Sequence, residues 1–215
     1  MAIQASGVLP ADVIETPRLR LQRWDDSHFD DFLRFMCDPD VIRYIRAAPL
    51  TAEQGADHHA LSLGEWELHG FGKRGIIETT TGCWLGFVEL SLVGPGKGCR
   101  EDDVEIGYFI EPDRWGEGLA TEAAGAVRDE AFGRVGLKEL VGRSRVENTA
   151  SARVMQKIGL RYARSHTVTE GVMVDIHRLG REDWLLSRFG TLDRASPQRS
   201  PRADAGKEPG YRETG

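Results

Sequence analysis

One stretch narrows the fold more than any other: residues 104–135 run from an alternating strand pattern through a glycine turn into a helix. Val104, Ile106, Tyr108 and Ile110 recur at two-residue spacing, so they share one face of a strand and Glu105 points to the other. The turn carries Gly116 and Gly118, and the helix that follows, over 120–135, presents Ala120, Ala123, Ala124, Val127 and Ala131 as a narrow stripe of small residues. Such a stripe lets a helix lie close on a sheet. A strand, a glycine turn and a helix start in succession also make an anion site, because the first N–H groups of a helix have no partner within it and glycine leaves no Cβ in the way. A pyrophosphate suits that geometry; an ordinary strand-to-helix turn would look the same. No Gly-Lys-Ser/Thr closes a Walker loop, and no third glycine completes a dinucleotide fingerprint.

The flanking sequence supplies the rest of an α+β domain. Before it, residues 18–23 alternate as a first strand, and Asp25 or Ser27 caps a helix whose Phe29, Phe32, Leu33 and Met36 form one face until Pro39 stops it. A short helix is expected over 41–45. Thr51 with Gln54 reads as a capping box opening a helix to Leu68, with Ala60, Leu61 and Leu63 inward and the adjacent His58 and His59 on a solvated face. Residues 76–81 and 84–93 read as an antiparallel hairpin. After the glycine turn come a strand over 138–146, a short helix capped by Asn148 and ended by Gly159, and two strands over 160–169 and 172–179. The expected fold is a mixed, mostly antiparallel sheet of about seven strands flanked by about four helices. Residues 1–15 are expected to be an extension, 16–188 the domain, and 189–215, rich in Arg, Ser, Pro, Gly and Asp, a tail too polar to order itself.

Length and charge exclude some roles. The chain has 215 residues, enough for one well-buried domain, and its net charge of -6 argues against general nucleic-acid binding. No run of roughly 18 apolar residues exists, and the start lacks the basic and apolar segments of a secretory signal, so the cytoplasm is the expected location. Cys37, Cys83 and Cys99 are odd in number and widely spaced, which fits neither a disulfide framework nor a metal site. They read as reduced thiols.

Several segments, in order, resemble one family. Trp115-Gly116-Glu117-Gly118-Leu119-Ala120-Thr121-Glu122-Ala123 is similar to the pyrophosphate loop of the GNAT N-acetyltransferases, in the form found in the branch of ribosomal-protein alanine and serine N-terminal acetyltransferases. Glu15-Thr16-Pro17-Arg18-Leu19-Arg20-Leu21 resembles that branch's opening strand, Val104-Glu105-Ile106-Gly107-Tyr108 its fourth strand, and Asn148-Thr149-Ala150-Ser151 with Lys157-Ile158-Gly159-Leu160 its last helix. The resemblance spans residues 16–184. It implies a GNAT-like fold and transfer of an acetyl group from acetyl-CoA, with no metal, to a primary amine on a protein N-terminus or a small molecule. The alternative is a CoA-binding module without turnover. The implied partner is the amine acceptor, with no nucleic acid or membrane, and the chain is expected to be a monomer or homodimer.

Carried over by residue, the resemblance implies that main-chain groups of Tyr108, Phe109 and Ile110 pair with pantetheine like an added strand. Trp115, Gly116, Glu117, Gly118, Leu119, Ala120 and Thr121 would hold the pyrophosphate, and Asn148 would reach the cofactor while also capping its helix. A backbone N–H near Phe109 would polarise the thioester carbonyl. Many members protonate the departing thiolate with a tyrosine where this chain has Met155; Ser151, one turn earlier, is the expected donor here, or else a plain helix-start residue. Glu105 is the expected base, or else a solvated strand carboxylate. How much a base matters depends on the acceptor: at pH 7 roughly 14% of an α-amine is neutral, against about 0.04% of a lysine.

Overall fold

The two-residue alternation that dominates the middle of the chain is realised in one eight-stranded sheet. The computed structural model describes residues 12–168 and 171–190. In chain order the elements are β1 (Val13–Glu15), β2 (Leu19–Arg23), α1 (Phe29–Phe35), α2 (Pro39–Ile42), α3 (Ala52–His69), β3 (Lys73–Glu78), β4 (Trp84–Leu92) and β5 (Val104–Ile110). There follow α4 (Leu119–Glu130), β6 (Glu139–Arg145), α5 (Thr149–Lys157), β7 (Arg161–Thr167), β8 (Met173–Gly180) and α6 (Arg181–Phe189). The sheet order is β1-β2-β3-β4-β5-β6-β8-β7. Every neighbouring pair is antiparallel except β5 with β6, which are joined through α4 and run parallel.

Two apolar layers cover the faces of the sheet. On one, Leu21, Ile76, Val88 and Ile106 pack against Ala123, Ala124, Val127 and Phe132, the small-residue stripe of α4 and its continuation. On the other, Trp24, Phe32, Phe35, Trp66 and Phe87 gather under α1 to α3. Each large side chain removed from water in these layers stabilises the fold by roughly 1.5–3 kcal/mol. One buried ion pair crosses the first layer. Arg74 of β3, 1% exposed, meets Glu130 at the end of α4 at 2.6 Å, and Arg134 reaches the same carboxylate at 2.8 Å.

The α+β expectation holds, with an eighth strand and two more helices than the about four expected. The added strand is β1, whose Val13, Ile14 and Glu15 pair with β2, so the sheet begins before Thr16. Among the helices α6 has no counterpart in the sequence reading; its sequence is mostly polar and only Trp184 is buried. Pro39 does more than stop α1: it opens α2, with the Asp38 side chain accepting from the Asp40 N–H. The capping box of Thr51 and Gln54 is present. Of the expected inward residues of α3, Leu63 packs partly buried against the core, but Ala60 is exposed and Leu61 stands 67% exposed; the buried positions are Gly55, Ser62 and Trp66, with His59 beside them. His59 is therefore not on a solvated face. Its Nδ1 accepts from the Trp24 indole at 3.0 Å and its Nε2 lies 3.0 Å from Asp26. The helix expected over 120–135 ends at Glu130 and widens into a π-type turn over Ala131–Val135. Most of the expected tail, residues 191–215, lies outside the described residues.

Glu130→Gln removes the charge of the carboxylate that Arg74 and Arg134 share, so it should lower unfolding free energy by about 3–5 kcal/mol in denaturant titrations. A loss below about 1 kcal/mol would place the pair among ion pairs that solvent already screens.

Candidate active site

A parallel pair should continue as far as both strands run, yet β5 and β6 meet at a single register position, Glu105 opposite Val141. Beyond it they part. The N–H of Glu111 donates to Leu85 and the carbonyl of Asp103 accepts from Val93, so the odd-numbered residues of β5 turn their main-chain groups to β4. By alternation Tyr108 and Ile110 turn theirs to the gap. Phe109 does not, which corrects the expectation that its main-chain groups join those of Tyr108 and Ile110 along the gap; its ring packs on Phe87 at 4.5 Å. The Ile110 carbonyl is already taken by the Trp115 indole at 2.7 Å, leaving its N–H.

The gap opens into a cavity of about 650 Å³. At its far end stands the glycine turn, where Gly116 and Gly118 have φ of 84° and 81°. Both lie in the left-handed region that glycine tolerates at least cost, so the turn needs glycine for backbone reasons as well as for space. A Cβ on Gly116 would meet nothing within 4 Å. Gly118 caps α4 without any side-chain bond, so the first N–H groups of the helix face open space. Two motifs hold this turn in place. Glu122 accepts from Thr16 Oγ1 at 2.7 Å, from the Arg18 N–H at 2.9 Å and from Arg18 Nε at 2.7 Å, while Arg18 Nη1 donates to the Glu117 carbonyl at 3.0 Å. Arg114 ties Glu117 to Glu78. Of the residues singled out in the turn, Trp115, Gly116, Gly118, Leu119, Ala120 and Thr121 border the cavity, whereas Glu117 faces these arginines.

Charge is sorted along the cavity. Arg145 of β6 and Arg153 and Lys157 of α5 border it and carry no ion pair among the described residues, although the chain as a whole is acidic. That side fits a polyanion. Toward α1 and α2 the wall carries Asp40, Glu89 and Glu105. Glu105 is not a solvated strand carboxylate: Arg143 on β6 donates to its Oε2 from Nη2 at 2.6 Å and from Nε at 3.1 Å. Burial pushes the Glu105 carboxyl above its ordinary value, and Arg143 only partly offsets this. Both side-chain bonds from Arg143 fall on Oε2. Glu89 lies over Gly107, where a Cβ would stand 3.2 Å from its Oε1, and its other oxygen is 3.6 Å from the buried Lys73 ammonium. That ammonium sits 4.5–5.0 Å from the rings of Trp24, Phe32 and Phe87. On α3, Glu65 is pushed up to about 7 by burial and then by the charge of Glu89.

On the α5 side Asn148 caps the helix, its Oδ1 accepting from the Ser151 N–H at 3.1 Å. The Tyr108 hydroxyl donates to the Ser151 carbonyl at 2.7 Å and lies 3.0 Å from Ser151 Oγ. Since that hydroxyl's proton is committed to the carbonyl, the Ser151 O–H donates to it in turn. Ser151 thus borders the cavity with its hydroxyl fixed by Tyr108, and Met155 lies buried below. Sequence reasoning placed Tyr108, Ser151 and Asn148 here but missed the roles of Glu89, Arg143 and the Tyr108 side chain. Cys37 and Cys83 are exposed and all three cysteines are free. Among the described residues no group of three or more His, Cys, Asp or Glu is arranged to hold a metal, and no helix is long and apolar enough to cross a membrane.

A family model described as an acetyltransferase (GNAT) domain matches residues 18–161. The chain belongs to the GNAT acetyltransferase family. It is an N-acetyltransferase, and the family's acyl donor is acetyl-CoA. The FsC-acetyl coenzyme A-N(2)-transacetylase of Aspergillus fumigatus is 26% identical over 202 residues, 85% of this chain and 82% of that protein. The uncharacterised protein YkkB of Bacillus subtilis is 37% identical over 153 residues, 70% of this chain and 86% of that protein. A ribosomal alpha-N-protein acetyltransferase solved in complex with coenzyme A shares the fold, with a TM-score of 0.66 at 15% identity, covering 80% of this chain and 99% of that one.

Burial holds the Tyr108 phenol well above the ordinary range, its bond with Ser151 offsetting this in part. In a spectrophotometric titration this tyrosine should therefore remain protonated past pH of about 11, beyond the usual tyrosine pKa of about 10. The wild-type and Tyr108→Phe curves should then coincide until the protein unfolds. A difference between them near pH 10 would show the phenol open to solvent.

Proposed function

We propose that this N-acetyltransferase holds acetyl-CoA along the open side of β5 and transfers the acetyl group to a primary amine, a protein N-terminal α-amine or the amine of a small molecule, entering over the acidic wall. The observation that carries this reading is the gap itself: a parallel strand pair that stops after one position, with the uncapped start of α4 at its mouth. In this reading Tyr108 and Ile110 offer main-chain groups as a strand edge would. Residues 115–121 and the nearby cations take the phosphates, and Asn148 approaches from α5. The fit rests on open space above Gly116, on helix-start N–H groups without a side-chain cap and on the cations Arg145, Arg153 and Lys157, which carry no ion pair among the described residues.

When bound, acetyl-CoA supplies an activated thioester whose sulfur leaves as a thiolate needing a proton. Ser151 is the proton donor in this proposal: its O–H turns from Tyr108 to the departing sulfur, and the Tyr108 O–H, moving from the Ser151 carbonyl to Ser151 Oγ, supplies the proton to the oxygen left behind. Glu105 takes the amine proton through Oε1. Its upward shift suits it to that task, because a carboxylate of ordinary pKa holds a proton too weakly at neutral pH. The names of two relatives, one acting at an N(2) position and one at a ribosomal alpha-N-terminus, are both compatible with an uncharged amine as nucleophile. The cytoplasm is the proposed setting.

A pH profile of kcat/KM for wild type and Glu105→Gln, with one peptide and one polyamine, tests the assignment. Glu105 acts only when deprotonated, so the wild-type rate should rise as pH passes its raised pKa. Glu105→Gln should be slow at pH 7 and recover only as solution supplies neutral amine, beginning near pH of about 8 for an α-amine and about 10 for a lysine or polyamine. Parallel profiles on every active acceptor would leave Glu105 as a structural partner of Arg143.

A further inference from the structure

A hydroxyl without a partner lies where the two strands part. Extending the register Glu105 to Val141 by three residues sets Ser144 of β6 opposite Tyr108 of β5, across the gap and on the same side of the sheet. Ser144 borders the cavity and is 8% exposed, and its Oγ is buried with no protein partner. Its surroundings explain why. The facing Asp175 is engaged by Ser165 at 2.6 Å, and the Ser151 and Tyr108 hydroxyls satisfy each other. A buried hydroxyl left unbonded is costly, so native proteins pair nearly all of them. The missing partner of Ser144 is then sought in the cavity it borders.

We propose that the Ser144 hydroxyl is a ligand contact, donating a hydrogen bond to the thioester end of the acyl-CoA. This rests on the donor site set out above. There the phosphates sit at the mouth of the gap beside α4, so the acyl end lies nearest the apex where β5 and β6 meet. Ser144 and Tyr108 stand three residues from that apex. Ser144 therefore reads whether the ligand carries a sulfur and an acyl group, a recognition task distinct from proton donation by Ser151.

The test uses Ser144→Ala with two probes, acetyl-CoA and desulpho-CoA, the second lacking both sulfur and acyl group. Removing an unsatisfied buried hydroxyl should leave the melting temperature of the unliganded protein unchanged or raised. The affinity for acetyl-CoA measured by calorimetry should fall by about 3- to 12-fold, the worth of one hydrogen bond. Affinity for desulpho-CoA should not change. Opposite signs for unliganded stability and ligand affinity would not arise from a structural role. The proposal is overturned if acetyl-CoA affinity stays within about twofold of wild type, if both probes weaken equally, or if unliganded Ser144→Ala melts several degrees lower. Wild-type protein that binds neither probe would remove the donor site itself, and this contact with it.

Discussion

The site depends on one unmade set of backbone hydrogen bonds. Buried main-chain N–H and C=O groups are almost always paired, and the other neighbouring strands of this sheet pair over registers of three to seven residues. Only β5 and β6 stop after a single position. They can do so because the parallel crossover through α4 fixes β6 from behind, and the antiparallel pairing with β8 fixes it from the far side. Held rigidly on both flanks, the two strands keep apart, and the unspent hydrogen-bonding capacity of Tyr108 and Ile110 becomes a strand edge inside the protein.

The same framework sets the electrostatics. The turn before α4 lies at one end of the cavity, with the cations Arg145, Arg153 and Lys157 of β6 and α5 bordering it without ion pairs among the described residues, while Glu89 and Glu105 line the wall under α1 to α3. Both carboxylates are steadied by buried or half-buried cations, Lys73 in its three-ring enclosure and Arg143 on the opposing strand. In the proposed reading a polyanionic donor and an amine acceptor approach from different sides and meet at the level of Tyr108. Glu122 links this arrangement to the edge of the sheet: the Thr16-Pro17-Arg18 turn docks on it, so the opening segment and the glycine-turn segment of the resemblance touch in space.

Much of this was legible in the sequence where the signal is local. The alternation over β5, the glycine turn and the small-residue face of α4 each depend on neighbours within a few positions, and the bounds of β5 agree with the reading. Where side chains are chosen by distant partners, the reading failed. The inward face of α3 follows Gly55, His59, Ser62 and Trp66 because Leu33 packs over Gly55 and the Trp24 indole needs the His59 acceptor, and neither is visible in α3 itself. The pairing of Glu105 with Arg143 spans 38 residues and needs the parallel register, as does the placement of Ser144. The short edge strand β1 and the polar helix α6 bury too little to leave a pattern.

The central claim is that the open edge of β5 is where the acyl donor binds, and amide hydrogen exchange resolved by residue tests it directly. Adding acetyl-CoA to the protein should slow exchange of the Tyr108 and Ile110 amides and of those at positions 119–121, while the Phe109 amide, already turned to β4, should not change. Unaltered exchange at Tyr108 and Ile110 under saturating acetyl-CoA would contradict the account.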